Sequence, residues 1–197
     1  DTIFFIAAPE KAACIYAGQI RNELGSRLDL LEKDAYRFCY INDFPMYEID
    51  EETGKLGFTH NPFSMPQGGL EALNEKDPLD ILAYQYDIVC NGVELSSGAV
   101  RNHDMEIMEK AFDIAGYDKE TLKDKFGALY NAFQFGAPPH AGMAPGVDRM
   151  IMLLRNEENI REIIAFPMSG TAQDLMCGAP NEITEQQLRE VHIKVRD

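Results

Sequence analysis

The feature that most restricts the fold is one dipeptide, Asn91-Gly92, set inside the alternating run at residues 86–101. Both residues tolerate positive φ, which a two-residue hairpin turn requires at its two central positions. With that turn, Cys90 faces Val93, Val89 faces Glu94 and Asp87 faces Ser96. Side chains alternate along a strand, and cross-strand partners share a face. One face therefore carries Tyr86, Ile88, Cys90, Val93 and Leu95 and is expected to pack on the core. The other carries Asp87, Val89, Glu94 and Ser96. A chain built on such a hairpin is committed to antiparallel pairing.

The flanking sequence adds to this frame. Residues 3–8 read as a short buried strand, and residues 10–24 as a helix ending at Gly25. Residues 36–49 are strand-like and aromatic-rich. A charged turn at 50–55 joins them to a partner strand at 56–60. Residues 61–69, with Pro62, Pro66, Gly68 and Gly69, form a loop. Residues 78–83 read as helical, as do 104–115 and 119–135. A Pro-rich loop leads to a small-residue strand at 141–144, and Val147, Met150, Ile151 and Leu154 follow helical spacing. Thr184 opens a last short helix. Hairpins with interspersed helices, and no regular βαβ alternation, predict an α+β fold with an antiparallel sheet flanked by helices.

The chain's 197 residues suit one domain, or one plus part of another. With 33 acidic against 18 basic residues, its formal charge is −15. Such a surface repels phosphate backbones, so any nucleic-acid contact must lie mainly elsewhere. Cysteines at 14, 39, 90 and 177 show no C-x-x-C spacing, which argues against a thiolate zinc site and for reduced thiols in the cytoplasm. No apolar run approaches the roughly 20 residues of a membrane helix. The opening DTIFFI has no basic n-region and no Met, and reads as a cut inside a longer chain.

Three groups carry chemistry. Asp87 and Glu94 are diagonal neighbours about 7–8 Å apart at Cα. They are either a solvated hairpin face or a carboxylate pair for Mg²⁺, which commonly takes one or two carboxylates plus phosphate oxygens. Arg101 lies seven residues past Glu94, on the opposite face of a regular strand. A bulge at Ser96-Ser97-Gly98 would bring it beside Glu94, and without one it caps the outer face. Gly142, Ala144 and Gly146 leave one side of their strand bare, which admits a flat purine or simply tight packing. Arg149, in the first turn beyond, can stack on a ring or reach a phosphate. His60, in the Pro-rich loop, is either solvated or a ligand contact.

Together these runs resemble one family, the bacterial-type aspartyl-tRNA synthetases of class II. YDIVCNGVELSSGAVR at 86–101 resembles their long active-site hairpin, and FGAPPHAGMAPGVDR at 135–149 their version of motif 3. HNPFSMP at 60–66 resembles the substrate loop, and REIIAFP at 161–167 the stretch after motif 3. The likeness runs from residue 36 to the end as the C-terminal part of the class II catalytic domain. Residues 1–35 look like the tail of the α/β insertion module that bacterial members carry.

The resemblance implies activation of L-aspartate by ATP to an aspartyl-adenylate, transfer to tRNA, and a homodimeric, non-membrane parent. Arg101 then binds the aspartate side-chain carboxylate with His60 beside it. Glu94 and Asp87 hold Mg²⁺, and Glu94, Gly146, Val147, Asp148 and Arg149 contact ATP, with Arg101 and Arg149 the catalytic arginines. Asn61 stands where the family often has a second His, and Ser96-Ser97-Gly98 where it often has three glycines. Motifs 1 and 2 are not found, so the chain alone is expected to be inactive. A paralogue such as an asparaginyl-tRNA synthetase or an asparagine synthetase relative would keep many of these residues. A non-catalytic acidic interaction module would instead be self-contained, whereas a piece of an enzyme should expose a large apolar surface.

Overall fold

The computed structural model describes residues 2–196, and these fall into two compact units, Asp1–Arg37 and Phe38–Asp197. In the first, helix α1 (Glu10–Arg27) begins after Pro9 and runs past Gly25. Glu10 in its first turn and Arg27 in its last complement the helix dipole, and Arg27 pairs with Glu23 at 2.6 Å. The strand expected at residues 3–8 does not form, and Phe5 is 90% exposed. A strand needs a neighbour for its backbone hydrogen bonds, and no described segment of this unit pairs with it. The expected α/β tail is therefore one helix and irregular chain among the described residues.

The second unit contains β1 (Phe38–Pro45), β2 (Tyr47–Ile49), β3 (Leu56–Phe58), α2 (Gly69–Glu75), β4 (Leu82–Cys90) and β5 (Val93–Val100). These are followed by α3 (Met105–Ile114), α4 (Lys119–Phe133), β6 (Ala141–Pro145), α5 (Val147–Leu154) and α6 (Glu185–Glu190). The main sheet has the order β1-β4-β5-β6 with every pair antiparallel, and β2 and β3 form a small second sheet. Asn91 and Gly92 take φ of 50° and 81°, the positive pair the hairpin turn requires. The α+β architecture is the expected one.

Two local expectations fail. Residues 78–83 are not a helix: Asp77 caps a single 3-10 turn at Pro78–Asp80, and β4 starts at Leu82. Ile81 and Ala83, both 0% exposed, alternate into the core, and that burial outweighs the helical reading. Helix α2 was not anticipated, because its seven residues are too few to display a 3.6-residue period.

The core sits at one end of the main sheet. Met46, Tyr47, Leu73, Ile81, Ala83 and Ala111 form one cluster, and Met108, Phe112, Leu122 and Tyr130 extend it between α3 and α4. The buried Tyr47 hydroxyl donates to the Ala111 carbonyl at 2.9 Å, and burial pushes its pKa well above the usual tyrosine value. The Phe112 ring lies 5.0 Å from Phe58 and 5.6 Å from Phe63, so the aromatic core also holds the loop that follows His60.

The hairpin face expected to pack on this core does so only in part. Cys90 and Leu95 are buried, but Tyr86, Ile88 and Val93 remain half-exposed. Further apolar surface is open at Phe38, Tyr40 and Ile41 of β1, at Val147 and Leu154 of α5, and at Phe135. These exposed side chains lie on several separate elements. Among the described residues no helix is long and apolar enough to cross a membrane.

Asp104 and Asp118 cap α3 and α4, accepting from Ile107 and Thr121 backbone N–H groups at 3.2 and 2.8 Å. Between the two helices, partial burial pushes the Glu109 carboxyl up, but hydrogen bonds from Lys119 and Tyr130 outweigh it and hold the pKa below normal. A depressed carboxylate contributes stability above its unfolded pKa, about 4.3 for Glu, and loses it as pH falls through the lower folded value. Glu109→Gln should therefore be less stable than the parent in urea denaturation at pH 7, with the gap closing as the pH falls below about 4.

Candidate functional site

The β4–β5 hairpin forms the floor of a cleft of about 530 Å³. Gln85 and Asp87 come from β4, and Glu94, Ser97 and Ala99 from β5, with Arg101 just beyond it. Phe44, His60 and Asn61 form one wall, and Gly142, Met143 and Ala144 of β6 the other.

What places these groups together is a change of register. Val89 pairs with Glu94, but Ile88 pairs with Ser96, so Leu95 is an extra residue on β5. Leu95 and Ser96 are consecutively buried, where a regular strand would bury alternate residues. Past this bulge Asp87 faces Ser97, not Ser96, and Ser97, Ala99 and Arg101 fall on the face that carries Glu94. The bulge lies at Leu95, one residue before the expected Ser96-Ser97-Gly98, yet it has the expected consequence for Arg101. An insertion anywhere between Glu94 and Arg101 inverts the later side chains.

Arg101 is fixed through its backbone. Its N–H donates to the His140 carbonyl at 2.9 Å, and it bridges to Ser64. Asn102 N–H donates to the Phe63 carbonyl at 2.7 Å, which ties the end of β5 to the loop carrying His60. Thr59 Oγ1, Ser64 Oγ and Asn102 Nδ2 are buried without a protein hydrogen-bond partner, three of the four such atoms among the described residues. Each such group costs roughly 1–3 kcal/mol, and Thr59 and Asn102 adjoin His60 and Arg101 in the chain. The exposed His60 ring stands edge-on to Phe44, centroids 5.1 Å apart. The Arg101 guanidinium and the Asp87 carboxylate have no side-chain partner among the described residues.

At the other end, Arg149 reaches back from α5 to β5. Its Nη1 donates to the Glu94 carbonyl at 2.7 Å and lies 3.3 Å from Glu94 Oε1. Both side chains are about half exposed, so the ion pair itself contributes at most about 1 kcal/mol. Gly146, Val147, Asp148 and Arg149 do not line the cleft. Gly146 N–H closes the sheet edge by donating to the Leu95 carbonyl at 2.7 Å, and Val147 and Asp148 are exposed. The bare side of β6 does face the cleft at Gly142 and Ala144, and a Cβ on Gly142 would meet nothing within 4 Å. A flat ligand could lie there.

Asp87 and Glu94 supply two carboxylates on one sheet face, the donor number that Mg²⁺ uses when phosphate oxygens complete its shell. No group of three or more His, Cys, Asp or Glu gathers for a metal among the described residues, so the pair fits an ion arriving with phosphate rather than a protein cage.

Sequence reasoning did not single out Phe44, Gln85 or Met143. Gln85 was reachable, since it lies two residues before Asp87 and a strand's period is two. Phe44 and Met143 enter from other strands and carry no local signal.

The chain matches the family described as tRNA synthetases class II (D, K and N) over residues 10–170. An aspartate--tRNA(Asp/Asn) ligase of Zymomonas mobilis is 60% identical over 195 residues, 99% of this chain and 33% of that protein. An aspartate--tRNA ligase of Streptomyces coelicolor is 62% identical over 194 residues, 98% of this chain and 33% of that protein. The chain thus spans about a third of the length of the curated relatives it matches. Among solved structures, an aspartyl tRNA synthetase from Entamoeba histolytica aligns with a TM-score of 0.52 at 24% identity, covering 88% of this chain and 29% of that one, a likeness of fold.

Gly98 is the tightest point of the site. A Cβ there would lie 2.4 Å from the Gly142 carbonyl oxygen and 2.5 Å from Tyr86 Cε2. Gly98→Ala should cost about 1–3 kcal/mol in urea denaturation and speed amide exchange along β6.

Proposed function

Because the chain belongs to the class II tRNA synthetases of the D, K and N group, we propose that its cleft is part of an aspartate-activating site. The carrying observation is the unpaired Arg101 guanidinium in a cleft walled by His60. An arginine fork without an internal partner suits a ligand carboxylate, bound by two charge-assisted hydrogen bonds. It recognises aspartate by its side-chain carboxylate and leaves the amide of asparagine mismatched.

The opposite end of the cleft suits ATP. Asp87 and Glu94 would hold Mg²⁺, which when bound neutralises the triphosphate. The bare side of Gly142 and Ala144 accepts the adenine ring. Arg149, tethered by Glu94, lies against the nucleotide, and Gly146, Val147 and Asp148 place that arginine at the start of α5. The catalytic work of this chain is alignment: it holds the aspartate α-carboxylate against the α-phosphorus and offsets the charge developing there, without a covalent enzyme intermediate. Aspartate then passes from the adenylate to tRNA.

The acidic charge supports tRNA contact mainly through other parts of a longer parent, read here as homodimeric and cytoplasmic. With about two thirds of the relatives' length outside the matched stretch, the isolated chain is inactive. Residues 1–35 are the end of an inserted module, and residues 36–197 the C-terminal part of the catalytic domain.

Calorimetric binding of a non-hydrolysable aspartyl-adenylate analogue to the full-length protein tests this reading. Arg101→Ala should weaken binding by roughly 10- to 100-fold, the loss of about 1.5–3 kcal/mol from a charged hydrogen-bond pair. It should weaken an asparaginyl analogue far less. Equal losses for both would remove Arg101 from the recognition of the carboxylate.

A further inference from the structure

We propose that Gln85 is a positioning residue of the aspartate subsite, fixing the turn at His60 and Asn61 over Arg101. This rests on the aspartate-site reading above. Gln85 is 93% buried (7% exposed) on the cleft floor. Its Nε2 donates to the Asn61 main-chain carbonyl at 3.4 Å, a long bond from the sheet to the substrate turn. Asn61 is otherwise committed to its own loop, its Oδ1 accepting from Phe63 N–H at 2.9 Å. Gln85 therefore provides the side-chain link from the floor to this turn.

The neighbours of Gln85 sharpen its role. It pairs directly with Ala99, and its same-face neighbours on β4 are Ala83 and Asp87. Ala99 and Ala83 are too small to reach the turn. Arg101 follows Ala99 on the same face, diagonal to Gln85. A carboxylate at position 85 would lie within reach of that guanidinium and could occupy it. A neutral amide of the same shape spans the gap and leaves Arg101 free for a ligand. The Gln85 Oε1 accepts no hydrogen bond among the described residues, so the amide's partners are the turn and whatever enters the cleft.

The test measures KM for aspartate and for ATP, separately, in aspartate-dependent pyrophosphate exchange by the full-length protein. Gln85→Met keeps the volume and removes the donor. It should raise KM for aspartate about five- to tenfold, the worth of one hydrogen bond, with KM for ATP within about twofold of the parent. Gln85→Glu keeps the shape, loses the donor and adds a charge beside Arg101, so it should raise KM for aspartate further. Gln85→Asn, one methylene shorter, should fall on the Met side. A Gln85→Met protein with parental KM for aspartate overturns the proposal, as does one in which both KM values rise together, because that marks a packing role. If Gln85→Met fails to fold, Gln85→Glu decides alone. Arg101→Ala run in parallel separates the two readings: if it too leaves KM for aspartate unchanged, the aspartate subsite lies elsewhere and the Gln85 role falls with it, whereas a large Arg101 effect beside a silent Gln85→Met removes Gln85 alone.

Discussion

The placing of Arg101 on the face that carries Glu94 depends on one extra residue in β5. Leu95 has no partner opposite it, because Val89 pairs with Glu94 and Ile88 with Ser96. Strand side chains alternate with period two, so a single insertion inverts all that follow. Without it, Arg101 would leave the face that carries Asp87 and Glu94, and the cleft would lose its guanidinium. The Gly146 N–H donates to the Leu95 carbonyl at the same point. The bulged residue thus also anchors the start of α5, and through it Arg149.

Around this hairpin the fold separates rigidity from access. The aromatic core of Phe58, Phe63, Phe112 and Phe126 lies at one end of the sheet and holds the loop after His60 in place. The cleft side is built from small residues, Ala99, Gly142 and Ala144, so ligand volume is available where side chains are absent. The close approach of β5 and β6 depends on Gly98, where any Cβ would collide with the Gly142 carbonyl. Small residues therefore do two jobs in this sheet: some open the cleft and one permits the strand contact that shapes it.

The charges follow the same division. The chain carries −15 overall, yet Arg101 is kept without an acidic side-chain partner. Arg149 has an acidic partner in Glu94, half-exposed and therefore weakly held. One arginine thus stands without an internal partner, and the other is tethered to β5 through Glu94. The cleft itself is lined by one arginine, Arg101, and two carboxylates, Asp87 and Glu94.

The sequence by itself determined the local grammar of this protein. Asn91-Gly92 specified a hairpin because few residues accept positive φ at adjacent positions, and alternating small residues marked the open side of β6. The long ordered runs at 86–101 and 135–149 were enough to identify the family. Tertiary structure alone decided the rest. The site of the bulge, the start of β4 at Leu82 where a helix was expected, and the entry of Phe44 and Met143 into the cleft follow from contacts between segments distant in the chain. Residues 3–8 make the same point in reverse: their apolar β-type pattern forms no strand where no described neighbour completes the backbone hydrogen bonds. A local pattern records what a segment prefers, whereas register and burial depend on what the rest of the chain places beside it.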